Sequence, residues 1–331
     1  MSKAAELAAL IGSQTALSNR NLIINGEFQV WQRGTSSSSV GYNTADRWRL
    51  HLSGASATAS QGTFANGQTA VPGNPQFYMA LNVTTGNDNA GLQYRHEGTQ
   101  QLNGEVYTLS FWAKSATPAT MTVSSHSYDA SAYVYDYNTV SPSTFTPTSS
   151  WQKFPFKITH SSMPNLGAYA NGDYTLMSIG QGSSTSTAAW KLDLALVQFE
   201  KGEQATPFEH RSYGDELQRC QRYYWQLSTG VHGNYPSWAA TGYNTNQCNI
   251  NLPFPVPMRT VPTASFNTGD VNYYRFYRGG GSENFGTVGT DTITSEHLNI
   301  FGSGLSHTQG LNGTLQIRLA DGAGVFVTAE L

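Results

Sequence analysis

The residues with the clearest chemistry are tyrosines. Tyr133-Val134-Tyr135-Asp136-Tyr137 repeats Tyr at every second position. In an extended strand, side chains alternate between faces, so Tyr133, Tyr135 and Tyr137 are expected to share one face. A row of exposed aromatic rings offers flat apolar surface with a hydroxyl at each tip. Sugar rings, with apolar C–H faces and hydroxyl edges, stack on such a surface. The same row could instead be a ladder that stabilises a sheet. Tyr273-Tyr274-Arg275-Phe276-Tyr277-Arg278 is a second candidate, with Tyr273, Arg275 and Tyr277 expected on one face. Arg interleaved with Tyr suits acidic or hydroxylated glycans, and it also suits a subunit contact.

Other chemistries leave little trace. The chain contains no Gly-x-Ser-x-Gly elbow, no His-Glu-x-x-His and no P-loop. Its eight histidines are scattered. Asp129 and Asp136 lie near aromatics but read as solvated loop acids, so the chain is expected not to be an enzyme. Cys220 and Cys248 have no CxxC or His partner at metal spacing and are expected to be free, buried thiols.

The elements that must carry these residues follow from composition. Of 331 residues only 12% are charged, with 18 Lys+Arg against 21 Asp+Glu giving net −3. Helix surfaces draw on Glu, Lys, Arg and Gln, whereas Ser, Thr, Tyr, Val, Gly and Asn dominate here, the vocabulary of strands and turns. A near-neutral chain lacks the basic field of a nucleic-acid binder. No apolar run reaches the length of a membrane span, so neither nucleic acid nor membrane insertion is expected. The low charge also predicts surface interactions that vary little with salt. The N-terminus does not read as a secretory signal.

Ala4, Leu7, Ala8 and Ile11 fall at i, i+3, i+4 and i+7 and predict a short helix with one apolar stripe, ended by Gly12. So short a helix needs a partner, either by docking elsewhere or by capping the adjacent domain. From Asn21 to about His210 short strands alternate with Gly/Asn/Ser turns. Asn21 to Phe28 reads as a strand broken at Asn25-Gly26, and Tyr107 to Lys114 places Tyr107, Leu109, Phe111 and Ala113 on one face. Asp215 to Tyr224 predicts a helix, with Asp215 and Glu216 in its first turn. Beyond it, Pro253, Pro255, Pro257 and Pro262 exclude a central strand, and Asp321-Gly322 predicts a terminal hairpin. The expected fold is mainly β. A helix and linker span 1–20, a sandwich or jelly roll 21–210, a linking helix 211–226 and a second β-sandwich 227–331.

Several blocks together resemble a family of tailed-phage virion proteins, tail fibres and related structural proteins of phages from marine hosts. They are Asn21-Leu22-Ile23-Ile24-Asn25-Gly26-Glu27-Phe28-Gln29-Val30-Trp31-Gln32-Arg33-Gly34, then Asp46-Arg47-Trp48, then Tyr107 to Ser115. Leu192 to Gly202, Ala205 to Leu217 and Cys220-Gln221-Arg222-Tyr223-Tyr224 complete the series. The middle segment is also similar to the jelly-roll carbohydrate-binding modules of bacterial glycanases.

The first resemblance implies a non-enzymatic fibre or appendage subunit that assembles as a homotrimer on the virion, inside the host cytoplasm. Residues Ala4, Leu7, Ala8 and Ile11 would dock it to a phage tail or capsid protein, and its partner outside would be a host cell-surface glycan. A head-decoration protein and a free carbohydrate-binding module are the alternatives. The second resemblance implies a galactose-binding-like sandwich and a structural Ca²⁺, with Glu27 and Asp193 as its side-chain ligands. Leu194 stands where that family carries a second Asp.

Overall fold

The computed structural model describes residues 19–86, 89–117, 119–163, 172–181, 189–227, 237–268, 270, 273–318 and 324–331. Ala4, Leu7, Ala8 and Ile11, and the Asp321-Gly322 turn, lie outside the described residues. The chain divides into two compact units, one of residues 1–216 with Leu331 and one of residues 217–330.

The first unit contains β1 (Ser36–Ser37), β2 (Trp48–Leu52), β3 (Ala55–Thr63), β4 (Phe77–Gly86), β5 (Ala90–Glu97), β6 (Val106–Lys114) and β7 (Met121–Asp129). It continues through β8 (Val134–Tyr137), β9 (Thr139–Ser141), β10 (Thr144–Phe145), β11 (Gln152–Thr159), β12 (Tyr174–Gln181) and β13 (Trp190–Lys201). One sheet has the order β1-β3-β4-β13-β6-β11-β9, and the other β10-β7-β12-β5-β2 with β8 paired to β7. All pairings are antiparallel, and both sheets feed one core.

Period-2 alternation builds that core. Tyr107, Leu109, Phe111 and Ala113 of β6 all point inward, as the sequence predicts. Leu192 and Leu194 come from β13, Leu92 and Tyr94 from β5, and Met177 and Ile179 from β12. Phe111 stacks on Phe156 at 5.1 Å and meets Phe145 edge-on at 5.3 Å. Each large apolar side chain buried this way contributes about 1.5–3 kcal/mol.

The Asn21–Phe28 segment is not a strand. It is a buried loop in which Asn side chains replace strand partners. Asn25, in the left-handed region at φ 59°, is fully buried. Its amide donates to the carbonyls of Val30 (2.8 Å) and Asp46 (3.0 Å) and accepts from the Val30 N–H at 3.0 Å. Asn21 Oδ1 accepts from the N–H groups of Ile23 and Phe199. A bulge in β13 between Ala195 and Gln198 frees the Val197 N–H, which donates to the Gly26 carbonyl at 2.9 Å. A Cβ on Gly26 would lie 2.1 Å from the Val197 carbonyl oxygen, so only Gly fits.

The segment leading into α1 (Tyr213–Gln221) secures this loop. Arg211 donates to the carbonyls of Asn21 and Ile23 and to Glu216, whose second oxygen accepts from the Asn25 N–H at 2.7 Å. Glu209 accepts from the N–H groups of Asn19 and Asn21. Helix α1 matches the predicted helix to within a few residues, and the boundary between the units falls inside it.

In the second unit the strands are β14 (Tyr224–Leu227), β15 (Ser237–Gly242), β16 (Gln247–Pro253), β17 (Thr263–Phe266) and β18 (Tyr274–Arg278). β19 (Gly281–Asn284), β20 (Thr287–Ile293), β21 (His297–Ser303), β22 (Asn312–Ile317) and β23 (Val325–Thr328) complete it. They form sheets of order β14-β23-β17 and β19-β18-β22-β15-β16-β21-β20 around a core that includes Ile250, Phe276, Leu315 and Val327. Two expectations are corrected here. β16 is an interior strand, because Pro253 sits at its last residue and Pro255, Pro257 and Pro262 follow in non-strand chain. β22 and β23 pair with different strands in different sheets and form no hairpin.

Candidate functional site

The smaller sheet of the first unit turns one face to the core and one outward. On β7, Met121 and Val123 point inward, so Thr122, Ser124, His126 and Tyr128 occupy the outer face. On β5 the core takes Ala90, Leu92 and Tyr94, leaving Gly91, Gln93, Arg95 and Glu97 outside. On β12, Met177 and Ile179 are inward and Tyr174, Leu176, Ser178 and Gly180 outward; on β2, Arg49 and His51 are outward.

Register then assembles rows across the sheet. Tyr135 lies opposite Tyr128, which lies opposite Tyr174. Their rings form a chain, with centroids 4.5 Å apart for Tyr128–Tyr135 and 5.0 Å for Tyr128–Tyr174. In the next row Tyr137 lies opposite His126, then Leu176 and Arg95. Beyond it come Ser124, Ser178, Gln93 and Arg49, and last Thr122, Gly180, Gly91 and His51. The opposed Gly91 and Gly180 leave the floor without side chains at that end. A Cβ on Gly180 would meet the Ala90 carbonyl oxygen at 2.3 Å.

Along these rows runs a cleft of about 570 Å³, with Gln93, Ser124, His126, Tyr137, Leu176 and Ser178 among its walls, while Arg49, bonded to Gln93, and Arg95, opposite Leu176, stand beside it. Such a volume is in the range of small-ligand sites. Tyr137 is 76% exposed and Tyr135 54%, whereas Tyr174 beneath them is buried. The Arg95 guanidinium covers the Tyr174 ring at 4.4 Å. Arg49 Nη1 donates to Gln93 Oε1 at 2.8 Å and lies 3.4 Å from His51 Nδ1. Burial holds the His126 and His51 rings below the ordinary imidazole range, and Arg95 and Arg49 push the same way, so both are neutral at pH 7. Burial, with a hydrogen bond from the Tyr174 hydroxyl to Tyr135, pushes the Tyr174 phenol up to about 12.

The predicted tyrosines divide. Tyr135 and Tyr137 share a face of β8 as expected. Tyr133 precedes the strand at φ 56°, in the left-handed region, and stands 81% exposed at the turn. The sequence reading missed His126, Tyr128, Tyr174, Gln93, Arg49 and Arg95. The polar alternation of Thr122-Val123-Ser124-Ser125-His126-Ser127-Tyr128 was the available signal for the first two.

In the second unit, Arg275 and Tyr277 share the outer face of β18, opposite Gln316 and Thr314 of β22. Arg275 Nε donates to Asn284 Oδ1 at 2.8 Å, and Tyr277 is 48% exposed. Tyr273 precedes the strand and packs half-buried against the core.

Glu27 and Asp193 each have partners of their own. The Glu27 carboxylate lies 3.1 Å from His210 Nδ1 and accepts from Gln29 at 2.7 Å. Asp193 lies 3.4 Å from Lys114 Nζ, at the other end of the β13 bulge. Burial raises the Asp193 carboxyl, and Lys114 opposes that rise. Each carboxylate already has its own cation or imidazole partner, so the pair does not fit a joint Ca²⁺ site. Among the described residues no three His, Cys, Asp or Glu side chains converge. Cys220 and Cys248 are buried thiols outside any disulfide.

No protein-family model matches the chain, and no curated protein matches it. Solved structures do. The N-terminal cellulose-binding domain of Cellulomonas fimi β-1,4-glucanase C is 16% identical, covering 52% of this chain and 98% of its own, with a TM-score of 0.32. The xylan-binding domain from Paenibacillus barcinonensis is 16% identical over 51% of this chain and 94% of its own, TM-score 0.33. The enzymatically active domain of tailspike protein 4 of bacteriophage CBA120 is 12% identical over 55% of this chain and 21% of its own, TM-score 0.31. At these TM-scores the likenesses add nothing to what the residues of the chain itself show.

Proposed function

We propose that the chain is a non-enzymatic subunit of a tailed-phage appendage, a tail fibre, whose first unit binds a host-surface glycan in the cleft of the smaller sheet. The observation that carries the binding role is the cleft itself. It combines the exposed Tyr137 ring at one end, with Tyr135 beside it on β8, and a floor of Gln93, Ser124, Ser178 and Thr122, the combination that sugar faces and hydroxyl edges require. Its lining includes no Asp or Glu among the described residues, whereas glycoside cleavage needs an acid and a base or nucleophile there. The fibre role rests on the residue blocks that resemble phage virion proteins. In that setting a homotrimer, held to the particle through Ala4, Leu7, Ala8 and Ile11, multiplies weak sugar contacts by simultaneous engagement.

Binding of the full chain to a glycan array, with and without Tyr137→Ala, tests the cleft. The variant removes one exposed ring and is expected to lower affinity about tenfold without moving the melting temperature. Array binding that survives Tyr135→Ala and Tyr137→Ala together would place recognition elsewhere. Immunogold labelling of particles tests the appendage role, and label on the head shell would favour a decoration protein.

A further inference from the structure

The charge beside the cleft points to one class of glycan. Arg49 and Arg95 share the outer face of the sheet with His51 and His126, and the β5 carboxylate on that face, Glu97, stands in the tyrosine row opposite Tyr174. Arg49 is half-buried, and its partners are the neutral Gln93 and His51. One Arg95 amino group donates to the Leu331 carbonyl, and its face rests on Tyr174. Among the described residues, no Asp or Glu side chain pairs with either guanidinium or either imidazole. Burial lowers Arg49, His51 and His126 first, and Arg95 pushes all three the same way.

A guanidinium pinned by a side-chain amide or a ring loses little freedom when it takes up a ligand, and its fork matches a carboxylate. Two cations on one face of a sheet also concentrate anions. Neutral sugars offer a guanidinium only hydroxyl acceptors, which gain less from it than a carboxylate does. The tyrosines supply stacking area at one end, and the cations follow along the rows. A chain of sugars lying across the strands would thus meet rings first and guanidinium groups next.

We propose that this cleft selects carboxylate-bearing glycans, such as uronic-acid polysaccharides, over neutral ones; this rests on the reading of the cleft as a sugar site.

The test is a glycan array carrying uronate-containing oligosaccharides beside neutral oligosaccharides of matched length, probed with the full chain at low salt and at seawater ionic strength. The strongest ligand is then titrated calorimetrically against the wild type and Arg49→Gln. Binding is expected for the uronate ligands, weakening with salt. The Arg49→Gln variant should lose about tenfold in affinity for them, a larger loss than for any neutral ligand. Binding confined to neutral glycans, sensitive to Tyr137→Ala but not to Arg49→Gln or salt, would overturn the charge selection and leave the sugar site standing. An array with no ligand of either kind would overturn both.

Discussion

Acid should destabilise the first unit through His160. This ring is 2% exposed, set edge-on to Tyr107 at 5.4 Å and to Phe199 at 5.9 Å. Neither ring nitrogen has a hydrogen-bond partner. Burial, reinforced by His96, holds the imidazole down at about 4, against 6.5 for a free ring. Because the folded value is the lower one, the unfolded chain takes up the proton first as pH falls. The stabilisation is therefore complete above about pH 6.5 and is lost as pH drops towards about 4. A shift of this size is worth about 3 kcal/mol, of which about 2.5 kcal/mol is gone by pH 4.5. His160→Phe keeps a ring against Tyr107 and Phe199 and removes the titration. Urea denaturation of wild type and variant at pH 7.5 and pH 4.5 isolates the effect, since the carboxylates and His96 are common to both. The wild type should lose about 2.5 kcal/mol more than the variant between the two conditions. Equal losses would show that His160 is solvated or partnered in solution, and the reasoning from burial would fail.

The buried latch at Glu216 offers a second test. Glu216→Ala leaves the nearly buried Arg211 guanidinium without its 2.9 Å partner, and a loss of about 3–5 kcal/mol is expected in urea; a change below about 1 kcal/mol would mean that the pair is solvent-screened. Gly26→Ala drives a methyl into the Val197 carbonyl and should cost about 1–3 kcal/mol or more, whereas Gly214→Ala meets open space and should be neutral or slightly stabilising. Comparable melting temperatures for the two would contradict the packing of the Asn21–Phe28 loop. Burial pushes the Cys248 thiol up to about 12, so a thiol reagent should label Cys248 only after denaturation. Rapid labelling of the folded chain would show local opening of β16.

Much of the β framework was legible because alternation is a local signal. Tyr107, Leu109, Phe111 and Ala113 reveal β6 without reference to any other strand. The Asn21–Phe28 loop was not legible. Its apolar residues look like a strand, and only the buried amides of Asn21 and Asn25, bonded to backbone as far away as Phe199, explain why it is none. The cleft was half legible. Tyr135 and Tyr137 announce themselves at period 2, but Tyr128, Tyr174 and Arg95 join them only through cross-strand register, which no window of sequence contains. Low overall charge likewise suggested surface interactions indifferent to salt. Net charge averages over the surface and does not report that Arg49 and Arg95 share one face of a sheet.

The tie between the opening loop and the approach to α1 also sets a clock for synthesis. Asn21 and Asn25 find their partners in Arg211 and Glu216, 190 and 191 residues further along. At about 5–20 residues per second, the ribosome takes about 10–40 s to deliver those partners. Throughout that interval Ile23 and Phe28, which belong in the core, have no closed site to occupy. Completion of the first sandwich thus waits for nearly its last residue, and a nascent chain arrested before Arg211 has every strand of the unit but no way to seal it.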